Sequence, residues 1–218
     1  MTLLRIGKEI TAGCACLAAA ALVSAVAAGA APDAAKNLIV NGTAEQGAAS
    51  ANGYDVVVEI PGWTRKGGFT VVAYGAADFP GVQAASAIGG GSNFFAGGPG
   101  NAGSVVTQSI DVSSKRVLID SGKGKAVLSG YLGGYGGQND SLSAVAVFLG
   151  QSGARLGAIK IGPVSATERQ LATGLVKKTK SGGVPKKTRT IRVMLGANRT
   201  AGNYNDGYAD NLSLTIGR

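Results

Sequence analysis

The chain contains no histidine, and its two cysteines, Cys14 and Cys16, both lie near the N-terminus. Ser-His and Cys-His nucleophile pairs and most zinc ligand sets are therefore excluded. Aromatic residues make up only 6% of the chain, with a single tryptophan, Trp63. Carboxylates are also sparse: 12 Asp and Glu stand against 21 Lys and Arg, a net charge of +9. After the N-terminal segment no long apolar run recurs, so nothing downstream is expected to span a membrane. The chain does not end in a hydrophobic stretch with a basic tail, and no C-terminal sorting anchor is expected.

The N-terminus carries Arg5 and Lys8, then the apolar run CACLAAAALVSAVAAGAAP, with Ala28 and Ala30 fitting an A-x-A cleavage rule. This reads as a secretory signal peptide over residues 1–31, leaving residues 32–218 as one domain of a secreted, periplasmic or envelope-associated protein. The alternative, a membrane anchor or core helix, fits less well with so short an Ala-rich run stopped by Pro32 and Asp33. Thr11-Ala12-Gly13-Cys14 resembles a lipoprotein cleavage box, but Lys8 and Glu9 leave almost no apolar segment before it. The mature chain would be thiol-free, so its stability must come from a sizeable core or a bound ion.

The basic residues cluster in KKTKSGGVPKKTRTIR, which includes Lys177, Lys178, Lys186, Lys187 and Arg189. No aromatic residue is interleaved to stack on bases, so no specific nucleic-acid site is expected. The cluster reads as a solvated loop and strand face that could attract an anionic cell-surface polymer.

Strand signals dominate the remainder. YDVVVEI (54–60), FTVVAY (69–74), SVVTQSIDV (104–112), AVLSGYL (126–132), LSAVAVFLG (142–150), LGAIKI (156–161), TIRVML (190–195) and NLSLTI (211–216) are short, β-branched and often alternating. Gly, Asn, Ser and Pro clusters separate them, the pattern of an all-β sandwich or barrel. SATERQLATGLV (165–176) is a helical or irregular segment, with Ser165 and Glu168 spaced as a capping box. IGGGSNFFAGGPGNAG (88–103) reads as a long loop around a buried pair, Phe94 and Phe95. Trp63, at a strand entrance after Pro61 and Gly62, reads as core.

NLIVNGTAEQG (37–47), PGWT (61–64), VPKKTRTIRVML (184–195) and YADNLSL (208–214) occur in the order of corresponding motifs in jelly-roll carbohydrate-binding modules. The chain resembles that family and its galactose-binding-domain-like relatives over nearly all of the mature sequence. SGYLGGYGGQNDSLSAVAVFL (129–149) also resembles an exported bacterial subgroup of mostly unassigned role. The resemblance implies a single jelly-roll β-sandwich and a glycan- or surface-binding role, although one fold hosts many functions.

The resemblance further implies that the first and last strands lie side by side with a structural calcium where they meet. Glu45 and Asp210 match the positions that would supply carboxylates, with Asn41 or nearby carbonyls completing the oxygen shell. The alternative is that Glu45 and Asp210 satisfy local backbone donors at strand ends.

Two loops mix aromatic and polar side chains in the way a sugar requires, with rings for the C–H face and bidentate groups for the hydroxyls. Tyr131, Tyr135, Gln138, Asn139 and Asp140 form one; Arg199, Asn203, Tyr204, Asn205 and Asp206 form the other. The alternative is a pair of turns whose polar groups cap their own backbone. A glycosidase would need two carboxylates flanking a cleft. Pairs such as Asp140 with Asp206 sit in turn-like sequence without a cleft-forming insertion, so no enzymatic activity is expected. The expected function is carbohydrate or cell-surface-polymer binding; the alternative is a structural envelope protein whose sandwich mediates protein contacts.

Overall fold

The computed structural model describes residues 36–218; the expected signal peptide, residues 1–31, lies outside the described residues. Two antiparallel five-stranded sheets face each other. In the first, β1 (Thr64–Lys66), β4 (Gly103–Asp111), β9 (Thr188–Asn198), β6 (Ser141–Gly150) and β7 (Arg155–Ile161) lie in that order. In the second the order is β2 (Thr70–Ala73), β3 (Asn93–Pro99), β10 (Tyr204–Gly217), β5 (Lys125–Gly134) and β8 (Gly174–Gly183). The chain passes repeatedly from one sheet to the other, and the architecture is a jelly-roll β-sandwich.

The alternation visible in the sequence is what closes this sandwich. Leu142, Ala144, Ala146 and Phe148 of β6 and Ile191, Val193, Leu195 and Ala197 of β9 are buried at every second position. They meet Ala126, Leu128 and Leu132 of β5 and Leu212, Leu214 and Ile216 of β10 in one core cluster. Trp63 joins it as expected, 5.7 Å edge-to-face from Phe95, its indole N–H donating to the Asn41 carbonyl.

A second, smaller cluster lies on the outer face of the second sheet. Val72, Tyr74, Phe94, Ala96, Tyr204 and Tyr208 pack there under the helix α1 (Val82–Ile88). Consecutive residues of β3 therefore serve different layers, Phe95 the main core and Phe94 the outer cluster.

Several sequence expectations are corrected. The stretch 54–60 forms no strand; Val57 N–H donates to the Thr70 hydroxyl instead of a ladder carbonyl, and Val58 is exposed. The glycine-rich stretch 88–103 is not a long loop, because it contains β3, where Gly97 and Gly98 admit neighbouring chain. A β-carbon at Gly97 would lie 2.5 Å from Asn205, and one at Gly98 would strike the carbonyl of Gly68. The segment 165–176 takes the irregular of its two expected forms, turning over 166–171 and entering β8 at Gly174, and the capping-box bonds are present: the Ser165 N–H donates to Glu168 and the Ser165 hydroxyl accepts from Glu168 N–H. Asn203 to Asp206 is not all loop, since β10 begins at Tyr204.

The N-terminal segment runs beside the second half of β10. Leu38 N–H donates to the Leu214 carbonyl and Leu212 N–H to that of Gly42. Asn37 stitches this seam: its side-chain oxygen accepts from Ile39 and Leu214 N–H at 3.1 and 2.9 Å, and its amide donates to the Leu212 carbonyl at 3.0 Å. Asn37→Ala is expected to lower the unfolding free energy by about 2 kcal/mol in urea denaturation. A loss below about 0.5 kcal/mol would mean that water replaces all three bonds.

Candidate functional site

β10 sits between β3 and β5, with the main core on one face and the outer ring cluster over the first half of the other, so the polar side chains of that half are buried and must find partners. Asn205, Asp206 and Asp210 are all buried. The strand bulges between Asn205 and Tyr208, where Gly207 passes so close to β6 that a β-carbon would lie 2.5 Å from the Ser141 carbonyl oxygen. This bulge aims the first residues of β10 at the rim of the sandwich.

There a cavity of about 310 Å³ is lined by Tyr54, Asp78, Phe79, Tyr135, Gln138, Gly202, Asn203, Tyr204 and Asp206. Five residues singled out in the sequence meet in it: Tyr135, Gln138, Asn203, Tyr204 and Asp206. The other candidates do different work. Asp140 is fully buried and accepts from Thr200 N–H and hydroxyl, Ala201 N–H and Asp206 N–H, clamping the two loops together. Asn139 accepts from Ala166 N–H outside the cavity. Tyr131 lies opposite Lys177 of β8, whose ammonium stands 5.9 Å from the ring centre. Arg199 does not line the cavity, and its backbone N–H donates to the Ala102 carbonyl.

Tyr54, Asp78 and Phe79 come from the far end of the chain and were not foreseen as site residues. Tyr54 is 61% exposed and makes an edge-to-face contact with Tyr204 at 5.3 Å; Phe79 makes another with it at 5.1 Å. Asp78 sits at φ 70°, a left-handed conformation that Asp and Asn tolerate better than most residues. The only local sign in the sequence is turn residues beside aromatics, in Asn52-Gly53-Tyr54 and Asp78-Phe79-Pro80.

The base of the cavity is held by Arg169, another residue not anticipated. Its buried guanidinium donates to the carbonyls of Tyr135, Gly136, Gln138, Val164 and Ala172. Burial pulls its pKa down, opposed by the nearby Tyr208, Asp140 and Asp206. The 135–138 turn is thus fixed from behind by a cation whose donors are spent on main chain.

Two polar groups of the wall stay unpaired. The Tyr204 hydroxyl and the Gln138 side-chain carbonyl are buried and have no hydrogen-bond partner among the described residues, and Tyr204 as a whole is only 6% exposed. Asp206 accepts the Tyr208 hydroxyl through one oxygen. Desolvation, with the charges of Asp140 and Asp78 adding to it, raises the Asp206 pKa from 3.8 to about 6, against the opposing pull of Tyr208 and Arg169.

A second constellation lies farther along β10. Asp210 accepts the Tyr74 hydroxyl at 2.8 Å and the Asn211 N–H. Glu45 accepts from the N–H groups of Ser92 and Asn93 at 3.0 and 2.8 Å. Adjacent glycines separate the two carboxylates. A β-carbon at Gly90 would lie 2.5 Å from Asp210, and one at Gly91 would lie 2.7 Å from the Glu45 carboxyl carbon. Burial and the charge of Glu45 push Asp210 up to about 7. No lysine or arginine is among the groups acting on it. Such a glycine cradle holding two carboxylates fits a hard, oxygen-seeking cation. Among the described residues no third carboxylate, histidine or cysteine joins them. The Asn41 side chain is committed elsewhere: its amide donates to the carbonyls of Gln46 and Pro61, and its oxygen accepts from Gln46 N–H.

Fold and site together define a jelly-roll sandwich with a ring-and-carboxylate pocket at its rim. No family model matches the chain, and no curated protein matches it. Similar solved structures include a Family 16 Carbohydrate Binding Module-2, 18% identical, with a TM-score of 0.49, covering 82% of this chain and 99% of that one. The CBM22-1 xylan-binding domain from Paenibacillus barcinonensis Xyn10C is 14% identical, with a TM-score of 0.43 and coverage of 85% and 97%. The enzymatically active domain of bacteriophage CBA120 tailspike protein 4 is 16% identical, with a TM-score of 0.48; 83% of this chain aligns with 21% of that longer one. The fold assignment itself rests on the strand order.

The raised pKa of Asp206 has a signed consequence for stability. Below pH 3.8 the group is protonated whether the chain is folded or not; between 3.8 and about 6 the native state keeps a proton that the unfolded state releases. The contribution of Asp206 to native stability therefore falls as pH rises through that window and changes no further above it. Asp206→Asn cannot ionise. Its stability relative to the parent should rise across the same window, by at most roughly 3 kcal/mol. Parallel urea-denaturation profiles for the two proteins would contradict this.

Proposed function

We propose that this protein is an exported, non-catalytic carbohydrate-binding module that takes a sugar ring in the rim cavity, with a calcium ion stiffening the seam between Glu45 and Asp210. The observation that carries the sugar reading is the unpaired Tyr204 hydroxyl in the wall of a ring-lined, polar cavity. Tyr54, 61% exposed, offers an apolar ring to sugar C–H groups beside Phe79 and Tyr204, while Gln138, Asn203, Asp78 and Asp206 offer directional partners to hydroxyls. A volume near 310 Å³ is at the small end of ligand pockets and suits a terminal ring better than a chain laid across a sheet.

Glycan-array and insoluble-polysaccharide pull-down measurements test the reading. Tyr54→Ala, at an exposed position, is expected to weaken retention at least about tenfold with an unchanged melting temperature. No retention of the parent protein on any glycan would favour the structural envelope alternative. Release of reducing ends from a bound oligosaccharide would overturn the non-catalytic part.

For calcium, Glu45 and Asp210 would supply charge, and carbonyl oxygens and water would supply the rest of the shell. The ion would offset the mutual repulsion of two carboxylates that no basic side chain balances. With calcium at a hundredfold its dissociation constant, the folded state gains about 2.7 kcal/mol. Chelation should lower the melting temperature accordingly. An unchanged melting temperature after chelation, in a preparation shown by elemental analysis to start metal-loaded, would refute the ion.

A further inference from the structure

The rim cavity has the opposite charge to the protein around it. The chain carries 21 basic and 12 acidic residues, yet among the described residues Asp78 and Asp206 line the cavity and no lysine or arginine does. The buried cation behind it, Arg169, is committed to five main-chain carbonyls. We infer that the cavity selects a sugar carrying a positive charge, a pyranose with a free ammonium group, over neutral sugars. This rests on the carbohydrate reading above and narrows it.

Three observations converge on the cation. Asp78 and Asp206 line the same small cavity with no basic side chain beside them, and an ammonium between two carboxylates gains an attraction that a neutral hydroxyl does not. One Asp206 oxygen is taken by Tyr208; the other has no hydrogen-bond partner among the described residues. The rings of Tyr54, Phe79 and Tyr204 line the cavity, and the exposed ring of Tyr54 can attract an ammonium group as well as sugar C–H groups. A metal ion fits less well, because the rings occupy directions where calcium would need oxygen ligands. The unpaired Tyr204 hydroxyl and Gln138 carbonyl remain for the hydroxyls beside the amine.

The test is calorimetric titration of the full chain with a fully deacetylated glucosamine tetramer, the matching N-acetylated tetramer, a neutral glucose tetramer and spermidine. The glucosamine tetramer is expected to bind about tenfold more tightly than either uncharged tetramer. Asp78→Asn should remove that ratio while leaving the fold intact, because Asn accepts the left-handed backbone at this position. Equal affinity for charged and uncharged tetramers overturns the inference and leaves the carbohydrate reading standing. Spermidine binding as tightly as the glucosamine tetramer overturns it by showing that charge alone is read. Binding of none of the sugars overturns both.

Discussion

The central position of β10 is the constraint on which the rest of the structure depends. A strand hydrogen-bonded on both edges and, over Tyr204 to Asp210, covered on both faces cannot leave Asn205, Asp206 and Asp210 to water, so each carboxylate must be matched by groups from elsewhere. Tyr74 reaches Asp210 from the end of β2, and Tyr208 reaches Asp206 from two residues along. Asp140 fixes the backbone at Asp206 while holding the turn before β10. The oxygen-rich closing strand thereby organises both constellations, the rim cavity at its start and the facing carboxylates at its middle.

The aromatic residues connect these constellations. Tyr74 packs on Phe94 with ring centres 4.8 Å apart, Phe94 on Tyr208 at 5.3 Å, and Phe79 touches both Tyr204 and Tyr208. One continuous set of ring contacts thus runs from the hydroxyl on Asp210 to the wall of the cavity. The outer face of the second sheet, which in many sandwiches is left to solvent, is here a minor core.

Alternation made most of the sandwich legible in the sequence, because β4, β5, β6 and β9 bury every second side chain, and a period of two matches a half-buried strand and no helix. Where the physics was different the reading failed. β8 is an edge strand rich in lysine, exposed enough that no apolar stripe was needed. β3 is glycine-rich because its neighbours approach closely, which in a sequence looks like a turn. Residues 54–60 have the composition of a strand but no ladder to join. The candidate site was half legible. Tyr135, Gln138, Asn203, Tyr204 and Asp206 carry a recognisable chemistry in two loops, whereas Tyr54, Asp78 and Phe79 join them only through tertiary folding. Arg169 was hidden because its partners are main-chain carbonyls, which leave no mark on side-chain composition.

The division of labour between Phe94 and Phe95 bears on how such a protein diversifies. Since the main core is closed by one face of β3 and the ring cluster, which includes Phe79, by the other, the cavity residues Tyr54 and Asp78 are exposed and belong to neither core. A lineage could exchange these residues one at a time, trying new ligand preferences, while the fold stays folded at each step.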